Sequence, residues 1–373
     1  MGTSDYAICL DFLARFHDNY KYDNFGNVSD GATLNRKWIL GLALAALAYG
    51  TVLFWYYRTG QDSEAIILLN ASYDPTRELW HALNQAFMAD YEKQTGKKIA
   101  LKQSHGGSSA QARAVIDGLP ADVVTLALWP DTDVLRRKGV IAEHWQARLP
   151  FGSLPYYSTI VFVVRKDNPK EIKDWPDLAK PGVGVITPNP KTSGNGKLSY
   201  LAAWGSVIER GGTEDEAQEF VAALYKNVLV LDNGARGATV TFAQRKIGDV
   251  HITWENEAHL EILEAPGELE LIYPPSSIKA EPFIAWVDAV VERKGTKDAA
   301  KAYLEFLYTD AGQEIIGEHY YRPIRPEILR KFDDRFPDIK LFPVTAVARD
   351  WDEVQTKFFA DGALFDRIYQ KRK

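Results

Sequence analysis

The sequence predicts an α/β protein with two lobes, each a mostly parallel sheet flanked by helices. From residue 65 onward, short apolar runs alternate with amphipathic runs, as in serial strand–helix units. Turns rich in glycine, serine and asparagine follow several of the apolar runs. The body after residue 65 has about 310 residues, more than one hydrophobic core usually serves. We therefore expect two lobes with their polar turns at the strand ends.

An uncharged apolar run, residues 38–57, precedes this body. Its length of roughly 20 residues suits a helix that crosses a bilayer, and tryptophan and tyrosine stand at its ends. A cleaved signal peptide with its apolar core at 38–48 is the alternative, because small residues flank Leu47 as at a cleavage site. Both interpretations export the body. Residues 1–37 would form an N-terminal tail.

The strands are predicted from short apolar or alternating runs, and the helices from apolar residues at helical spacing. Asp74 and Pro75 suit a helix start, while Gly96 suits a helix end. The predicted strands are 66–71, 99–103, 121–128, 159–165, 182–187, 228–231 and 250–254. The predicted helices end near residues 95, 116, 208, 225, 245, 307 and 318.

Donor-rich turns lie between several strands and the helices that follow them. The turns at 106–109, 187–196 and 232–237 are the clearest examples. Open α/β sheets bind ligands beyond the carboxyl ends of their strands, and a helix start offers free N–H groups and a positive dipole. These turns therefore suit an anion, although each taken alone is also an ordinary capped turn.

Composition excludes several classes of partner and site. The net charge is −6 and the pI is about 5.7, so the overall field repels nucleic acid and anionic lipid. The only cysteine, Cys9, precedes the body, which excludes an internal disulfide framework and a cysteine-based metal site. An anion would be held by local dipoles.

Catalytic motifs are incomplete. No Gly-x-Ser-x-Gly elbow occurs, and the Ser-x-x-Lys at 276–279 lacks its companion motifs. Gly196-Lys197 lacks the remaining residues of a phosphate-binding loop. His251, Glu255 and His259 have a metal-compatible spacing of four, but their segment begins as a strand. We therefore predict no enzyme activity, no metal and no cofactor.

Several long motifs follow one another in this chain, at residues 68–79, 103–108, 121–128, 189–194 and 234–237. In this order they resemble the periplasmic sulfate-binding proteins of bacterial ABC importers, over residues 66–370. The resemblance implies a type II periplasmic binding fold that closes on one dehydrated sulfate. It also implies lobe I at 65–150 plus 279–345, lobe II at 151–278, and a C-terminal helical segment at 346–373 packed on the lobes.

The resemblance also implies a set of ligand contacts. Lobe I would donate the backbone N–H groups of Asp74 and Ser108. Arg236 and His105 would lie behind the ligand contacts, with Arg236 balancing buried carboxylates. Lobe II would donate the Ser193 hydroxyl, the N–H groups of Gly194, Asn195 and Ala235, and the indole N–H of Trp254.

One departure lies in the site itself. Asn195 stands where the family usually has a small residue, so its side chain is expected to narrow the cleft or to add a bond.

The partners that the resemblance implies are sulfate or thiosulfate and the permease subunits of an ABC transporter. The protein would be a periplasmic monomer, tethered to the membrane if residues 38–57 are retained. An exported sulfate or phosphate ester hydrolase and a membrane-tethered anion sensor stay open as alternatives.

Overall fold

The computed structural model describes residues 47, 49–51 and 65–370. The chain divides into two units, residues 1–62 and 63–373. The predicted tail at 1–37 and most of the apolar run at 38–57 lie outside the described residues. Within the described part of the chain, no helix has both the length and the apolar character needed to cross a membrane.

The described residues of the second unit form twelve strands and a larger number of helices. The strands are β1 (Ile66–Tyr73), β2 (Ile99–Gly106), β3 (Val123–Leu126), β4 (Tyr156–Arg165), β5 (Val185–Pro188), β6 (Val228–Asp232), β7 (Val250–Trp254), β8 (Leu269–Ile272), β9 (Ser276–Ala280), β10 (Phe283–Trp286), β11 (Arg322–Pro323) and β12 (Lys340–Phe342). The helices are α1 (Arg77–Thr95), α2 (Ser108–Ile116), α3 (Trp129–Arg137), α4 (Gly194–Ile208), α5 (Glu214–Lys226), α6 (Ala235–Thr239), α7 (Glu255–Glu264), α8 (Asp288–Lys294), α9 (Lys297–Phe306), α10 (Asp310–Glu318), α11 (Pro326–Leu329), α12 (Trp351–Val354) and α13 (Leu364–Gln370). Shorter turns include Asp74–Thr76, Trp145–Arg148, Pro150–Ser153, Trp175–Ala179, Val240–Gln244, Arg330–Phe332, Val344–Ala346 and Gln355–Phe359.

The first sheet has the strand order β10-β3-β1-β2. β1 pairs in parallel with both β2 and β3, while β10 is antiparallel to β3. Leu68 and Ala71 of β1 belong to different apolar clusters, which α1 and α9 cover on one face and α2 and α3 on the other. Burial on both faces explains why the two central strands, β1 and β3, are mainly apolar.

The second sheet has the order β12-β9-β4-β7-β5-β6, with β8 and β11 also paired to β4. β5 lies parallel to β6 and β7, whereas β4 is antiparallel to β7, β8, β9 and β11. Successive residues of β4 point to opposite faces, so Phe162 and Val163 belong to different apolar clusters. The second sheet is therefore mixed and not mostly parallel as predicted, because its central strand β4 runs against four of its neighbours. Both of its faces are covered.

The predicted α/β architecture is confirmed, and each strand predicted from the sequence is present with its ends shifted by a few residues. The chain passes from the first sheet to the second between β3 and β4, and β10 returns to the first sheet. Lys340–Phe342 again lies in the second sheet. The lobe boundaries themselves stay a prediction.

Candidate anion-binding site

Five chain segments that carry predicted ligand contacts converge where parallel strands of the two sheets end. They follow β1, β2, β5 and β6, and the last is the end of β7. The seven residues predicted as ligand contacts all line one cavity there. They are Asp74, Ser108, Ser193, Gly194, Asn195, Ala235 and Trp254.

The cavity is small. The volume open to the centre of a water-sized sphere is about 20 Å³. A sphere of that volume has a radius of roughly 1.7 Å, and adding the roughly 1.4 Å radius of water gives a cavity of about 3 Å radius. Pockets for organic ligands usually have about 300 to 1,000 Å³. The space therefore suits one small ion and excludes a sugar or a nucleotide.

On the first sheet, Ser108 opens α2 directly after β2. Its hydroxyl accepts a bond from the Ala127 N–H at 2.9 Å and donates to the Asp131 carboxylate at 2.5 Å. Ser109 donates to the other oxygen of the same carboxylate at 2.7 Å. The Ser108 side chain is thus fully used in fixing the turn. Its backbone N–H, one of the first of the helix, has no partner among the described residues and is free for a ligand.

Asp74 opens the helical turn that leads into α1. Its backbone N–H makes no hydrogen bond to another described residue, while its carboxylate accepts from Arg77 at 2.7 Å. The next carbonyl, that of Pro75, accepts from the Tyr321 hydroxyl at 2.8 Å and from the Asn256 amide at 3.3 Å. The backbone of this turn is therefore held in place from two sides.

On the second sheet, Ser193 caps α4. Its hydroxyl oxygen accepts from the Gly196 N–H at 3.3 Å, so its own proton is available for donation. The N–H groups of Gly194 and Asn195 have no acceptor among the described residues. Three donors therefore stand together at the positive end of a 15-residue helix.

The polar atoms of the Asn195 side chain bond to two residues that do not line the cavity. Its amide nitrogen lies 3.4 Å from the Thr253 hydroxyl, and its oxygen accepts from the Ser199 hydroxyl at 3.1 Å. Only 3% of the residue is exposed. That this side chain narrows the cleft or adds a bond stays a prediction. Its bonds go to β7 and to the next turn of α4.

Ala235 and Trp254 complete the second-sheet wall. Ala235 opens α6, and Trp254 ends β7 with its ring centre 5.6 Å from that of Tyr73. The Trp254 indole N–H donates to no acceptor among the described residues, although the residue is fully buried. Burial raises the pKa of Tyr73 well above its usual value, so this neighbouring hydroxyl stays protonated.

The cavity wall carries little formal charge. Among the described residues that line it, none is a lysine, arginine or histidine, and the only carboxyl group is that of Asp74, which Arg77 neutralises. The attraction for an anion therefore comes from oriented N–H and O–H dipoles. Such dipoles need no desolvated counter-ion.

Arg236 follows Ala235 and lies behind the wall. Its Nη2 is 2.7 Å from the Glu78 carboxylate on α1, and its Nε is 3.3 Å from the Glu257 carboxylate on α7. Burial lowers the pKa of Arg236, but these carboxylates outweigh that effect and raise it above its usual value. Burial raises the pKa of Glu257 to about 8, so Glu257 is mainly neutral at pH 7.

His105 lies outside the cavity lining, at the end of β2. Burial and the nearby Arg77 lower the pKa of His105, so the ring is neutral at pH 7. His251, Glu255 and His259, whose spacing is compatible with a metal site, do not form one cluster. His251 on β7 lies 2.8 Å from Glu261, whereas Glu255 pairs with Arg322. No group of acidic, histidine or cysteine side chains in the described ranges could hold a metal ion.

Some lining residues were not identified from the sequence. Their neighbours in the chain were predicted, so adjacency was the signal that could have found them. Ala127 is the exception, because it follows β3 and approaches through the fold alone. The additional lining residues are Tyr73, Pro75, Gly107, Ala127 and Gly234.

A family model described as bacterial extracellular solute-binding protein matches residues 78–322. The chain belongs to this family. The sulfate-binding protein of Escherichia coli K12 is 50% identical over 337 residues, which cover 90% of this chain and 99% of that protein. The thiosulfate-binding protein of Pseudomonas aeruginosa is 48% identical over 338 residues, with 90% and 99% coverage.

Among solved structures, the sulfate-binding protein SubI of Mycobacterium tuberculosis H37Rv matches with a TM-score of 0.72 at 32% identity, covering 79% of this chain and 99% of that one. This match confirms the predicted two-lobed binding-protein fold. The relatives are named as binding proteins, not as enzymes.

Proposed function

We propose that the protein captures sulfate outside the cytoplasm, in the cavity between its two lobes, and delivers it to an ABC permease. One observation carries the proposal: residues from both sheets that offer N–H and O–H donors line a single cavity of ion size. The names of the similar proteins support the choice of anion.

Donor-only walls match sulfate chemically. Sulfate is fully ionised near neutral pH and carries only acceptor oxygens, so it can satisfy every donor of the cavity without offering a proton. Hydrogen phosphate carries a proton that needs an acceptor. Among the described lining residues the one carboxylate is that of Asp74, and its charge is paired with Arg77. We therefore expect selection against phosphate.

The proposed contacts divide between the lobes. Asp74 and Ser108 donate backbone N–H groups from the first lobe. The second lobe donates the hydroxyl of Ser193, three backbone N–H groups and one indole N–H. These second-lobe donors belong to Ser193, Gly194, Asn195, Ala235 and Trp254.

Thiosulfate is a second candidate ligand, because one relative is named a thiosulfate-binding protein. It replaces one oxygen of sulfate by a sulfur atom, which is a poorer hydrogen-bond acceptor. Competition between the two anions in one titration separates them: displacement of bound sulfate by equimolar thiosulfate would make thiosulfate the preferred ligand.

Release requires the lobes to part. The Arg236–Glu78 ion pair and the bond from Asn256 to the Pro75 carbonyl both run from second-lobe helices to the start of α1. Opening breaks both, and the backbone donors then regain water. We propose that docking on the permease favours this open form.

The residues that line the cavity suit the binding of an anion better than the hydrolysis of a sulfate or phosphate ester. Two serines line the cavity, but among the described residues no histidine stands within hydrogen-bond reach of either hydroxyl, and Ser108 is held by Asp131. A nucleophile without a base is not activated. We expect no release of sulfate or phosphate from a chromogenic ester, with or without added metals.

Calorimetric titration of sulfate-free protein tests the function. We expect one sulfate per chain with a micromolar or tighter Kd, and no displacement by equimolar phosphate. Absence of heat at micromolar protein would contradict sulfate binding. Displacement by phosphate would overturn the donor-only argument while leaving anion binding intact.

Two cellular observations test the remaining parts. Genes for a permease and an ATPase beside this one would support transport, whereas a signalling gene in their place would favour a tethered sensor. N-terminal sequencing of the mature periplasmic protein decides whether the run at 38–57 is removed or tethers a monomer to the inner membrane.

A further inference from the structure

We call residues 189–196, which include Ser193, Gly194 and Asn195, the anion-binding turn. Lys191 is the one lysine in this turn, yet it does not line the cavity. It lies instead among oxygens of the C-terminal segment. Lys191 Nζ is 3.0 Å from the Phe359 carbonyl, 3.3 Å from the Ala360 carbonyl, 3.2 Å from Asp361 and 3.0 Å from Asp366.

The C-terminal segment is itself firmly seated on α4. Phe358 and Phe359 are buried, and their rings lie 5.6 and 5.4 Å from that of Tyr200. The Asp366 carboxylate that holds Lys191 also accepts from the Gly362 N–H at 2.8 Å, which closes the loop between the two contacts. The segment 358–366 therefore offers Lys191 a fixed set of acceptors.

The other end of the turn is tied to the neighbouring donor turn. The Asn189 N–H donates to the Asp232 carbonyl at 2.8 Å, and the Thr192 hydroxyl donates to the Asn233 carbonyl at 2.9 Å. Lys191 lies between these two anchors and precedes Ser193 by two residues. Its four bonds are thus the described link from this turn to the C-terminal segment.

We infer that Lys191 is a positioning residue: it fastens the anion-binding turn to the C-terminal segment 358–366 and so orients the donors of Ser193, Gly194 and Asn195. The role rests on the proposed function only for its effect on sulfate. Although burial lowers the pKa of Lys191, Asp366 and Asp361 raise it above its usual value, so the ammonium stays charged in its bonds.

A rival role for Lys191 is simple attraction of the anion by its charge. The two roles predict opposite effects of Asp366→Asn. If Lys191 acts by charge, removal of the carboxylate leaves more positive charge near the cavity and tightens sulfate binding. If Lys191 positions the turn, the same change loosens its anchor and weakens binding.

Titration of four variants decides between these roles. We expect Lys191→Met and Asp366→Asn each to raise the Kd about tenfold, the equivalent of one hydrogen bond to a charged group. The double variant should be no weaker than Lys191→Met, because both changes cut the same link. Lys191→Arg should restore at least half of the lost binding free energy, since its guanidinium keeps several donors.

Lys340→Met is the matched control. It removes one positive charge from a strand of the second sheet, the sheet that also carries the turn. Lys340 pairs with Glu209 at 2.7 Å, at the far end of α4 from the turn. We expect its Kd to stay within twofold of the wild type. Tighter or unchanged binding in Asp366→Asn, additive effects in the double variant, or an equal loss in Lys340→Met would overturn the positioning role.

Hydrogen–deuterium exchange in sulfate-free protein tests the anchor without any ligand. The peptide spanning 189–196 should exchange at least threefold faster in Lys191→Met and in Asp366→Asn than in the wild type or Lys340→Met. Unchanged exchange would overturn the anchor even if sulfate binds. Faster exchange in a protein that binds no sulfate would support the anchor and contradict the proposed function.

Discussion

Replacing Ser193 by alanine removes one atom with two roles. The Oγ atom caps α4 by accepting from the Gly196 N–H at 3.3 Å, and we propose that it donates to the bound anion. The capping bond is longer than the usual 2.7–3.2 Å range. Its loss should therefore cost only about 0.5–1 kcal/mol of folding free energy, the low end for a helix cap.

The effect on sulfate should be larger. A hydrogen bond to a charged group contributes about 1.5–3 kcal/mol. At about 1.4 kcal/mol per tenfold change, Ser193→Ala should raise the Kd for sulfate roughly 10- to 150-fold. Calorimetry measures the Kd, and thermal unfolding of the sulfate-free protein measures the loss of the cap.

Ser206→Ala is the matched control. Ser206 is a buried serine near the other end of the same helix. Its hydroxyl donates to the Ala203 carbonyl at 2.8 Å, and Ser206 does not line the cavity. Its Kd should stay within twofold of the wild type. A Ser193→Ala protein that unfolds at a lower temperature but keeps its affinity within threefold would show that Ser193 is a cap and not a ligand contact.

Three further changes test other parts of the account. Glu78→Gln removes the negative charge on α1 that Arg236 of α6 meets at 2.7 Å, so stopped-flow tryptophan fluorescence should show faster sulfate release with little change in association. An unchanged release rate would contradict the proposal that opening breaks this ion pair. Gly196→Ala would put Cβ 2.7 Å from the Asn189 carbonyl carbon, so thermal melts should show a loss of about 1–3 kcal/mol together with weaker binding, and a fully stable variant would contradict this packing. Burial lowers the pKa of His259 to about 4, so the unfolded chain binds a proton that the folded one does not between about pH 4 and 6.5; wild-type stability should fall on acidification through this window more steeply than that of His259→Gln, and equal slopes would contradict it.

The strands and helices near the site were predictable because each carries a local signal. β1 begins as an apolar run and β2 as an alternating one, and their turns hold a proline or a double glycine where the next helix begins. The same turns supply the proposed ligand contacts. A motif that sets a local backbone path and supplies donors is visible in the sequence at once.

Other features depend on contacts between distant parts of the chain. β8, β9 and β10 are four or five residues long, and β8 and β9 exist because β4 offers them hydrogen bonds. The helix α3 begins at Trp129-Pro130, which the sequence indicates only as the end of a strand. Short strands of this kind have too little periodicity to be recognised alone.

The direction of a side chain was also beyond the sequence. Asn195 was expected to narrow the cleft or to add a bond, and its bonds to the buried Thr253 and Ser199 could not be inferred from the motif. Lys191 is a comparable case, because its acceptors lie about 170 residues further along the chain. Pairing over such distances is set by the packing of α4 against the C-terminal segment.

The location of the anion tests the central claim most directly. Selenate has the shape and charge of sulfate, and selenium gives an anomalous X-ray signal that fixes its position. A crystal grown with selenate should show one selenium peak in the cavity, with oxygens within about 3.2 Å of the Ser193 hydroxyl and of the Trp254 indole nitrogen. A peak elsewhere on the protein, or an empty cavity at saturating selenate, would contradict the account.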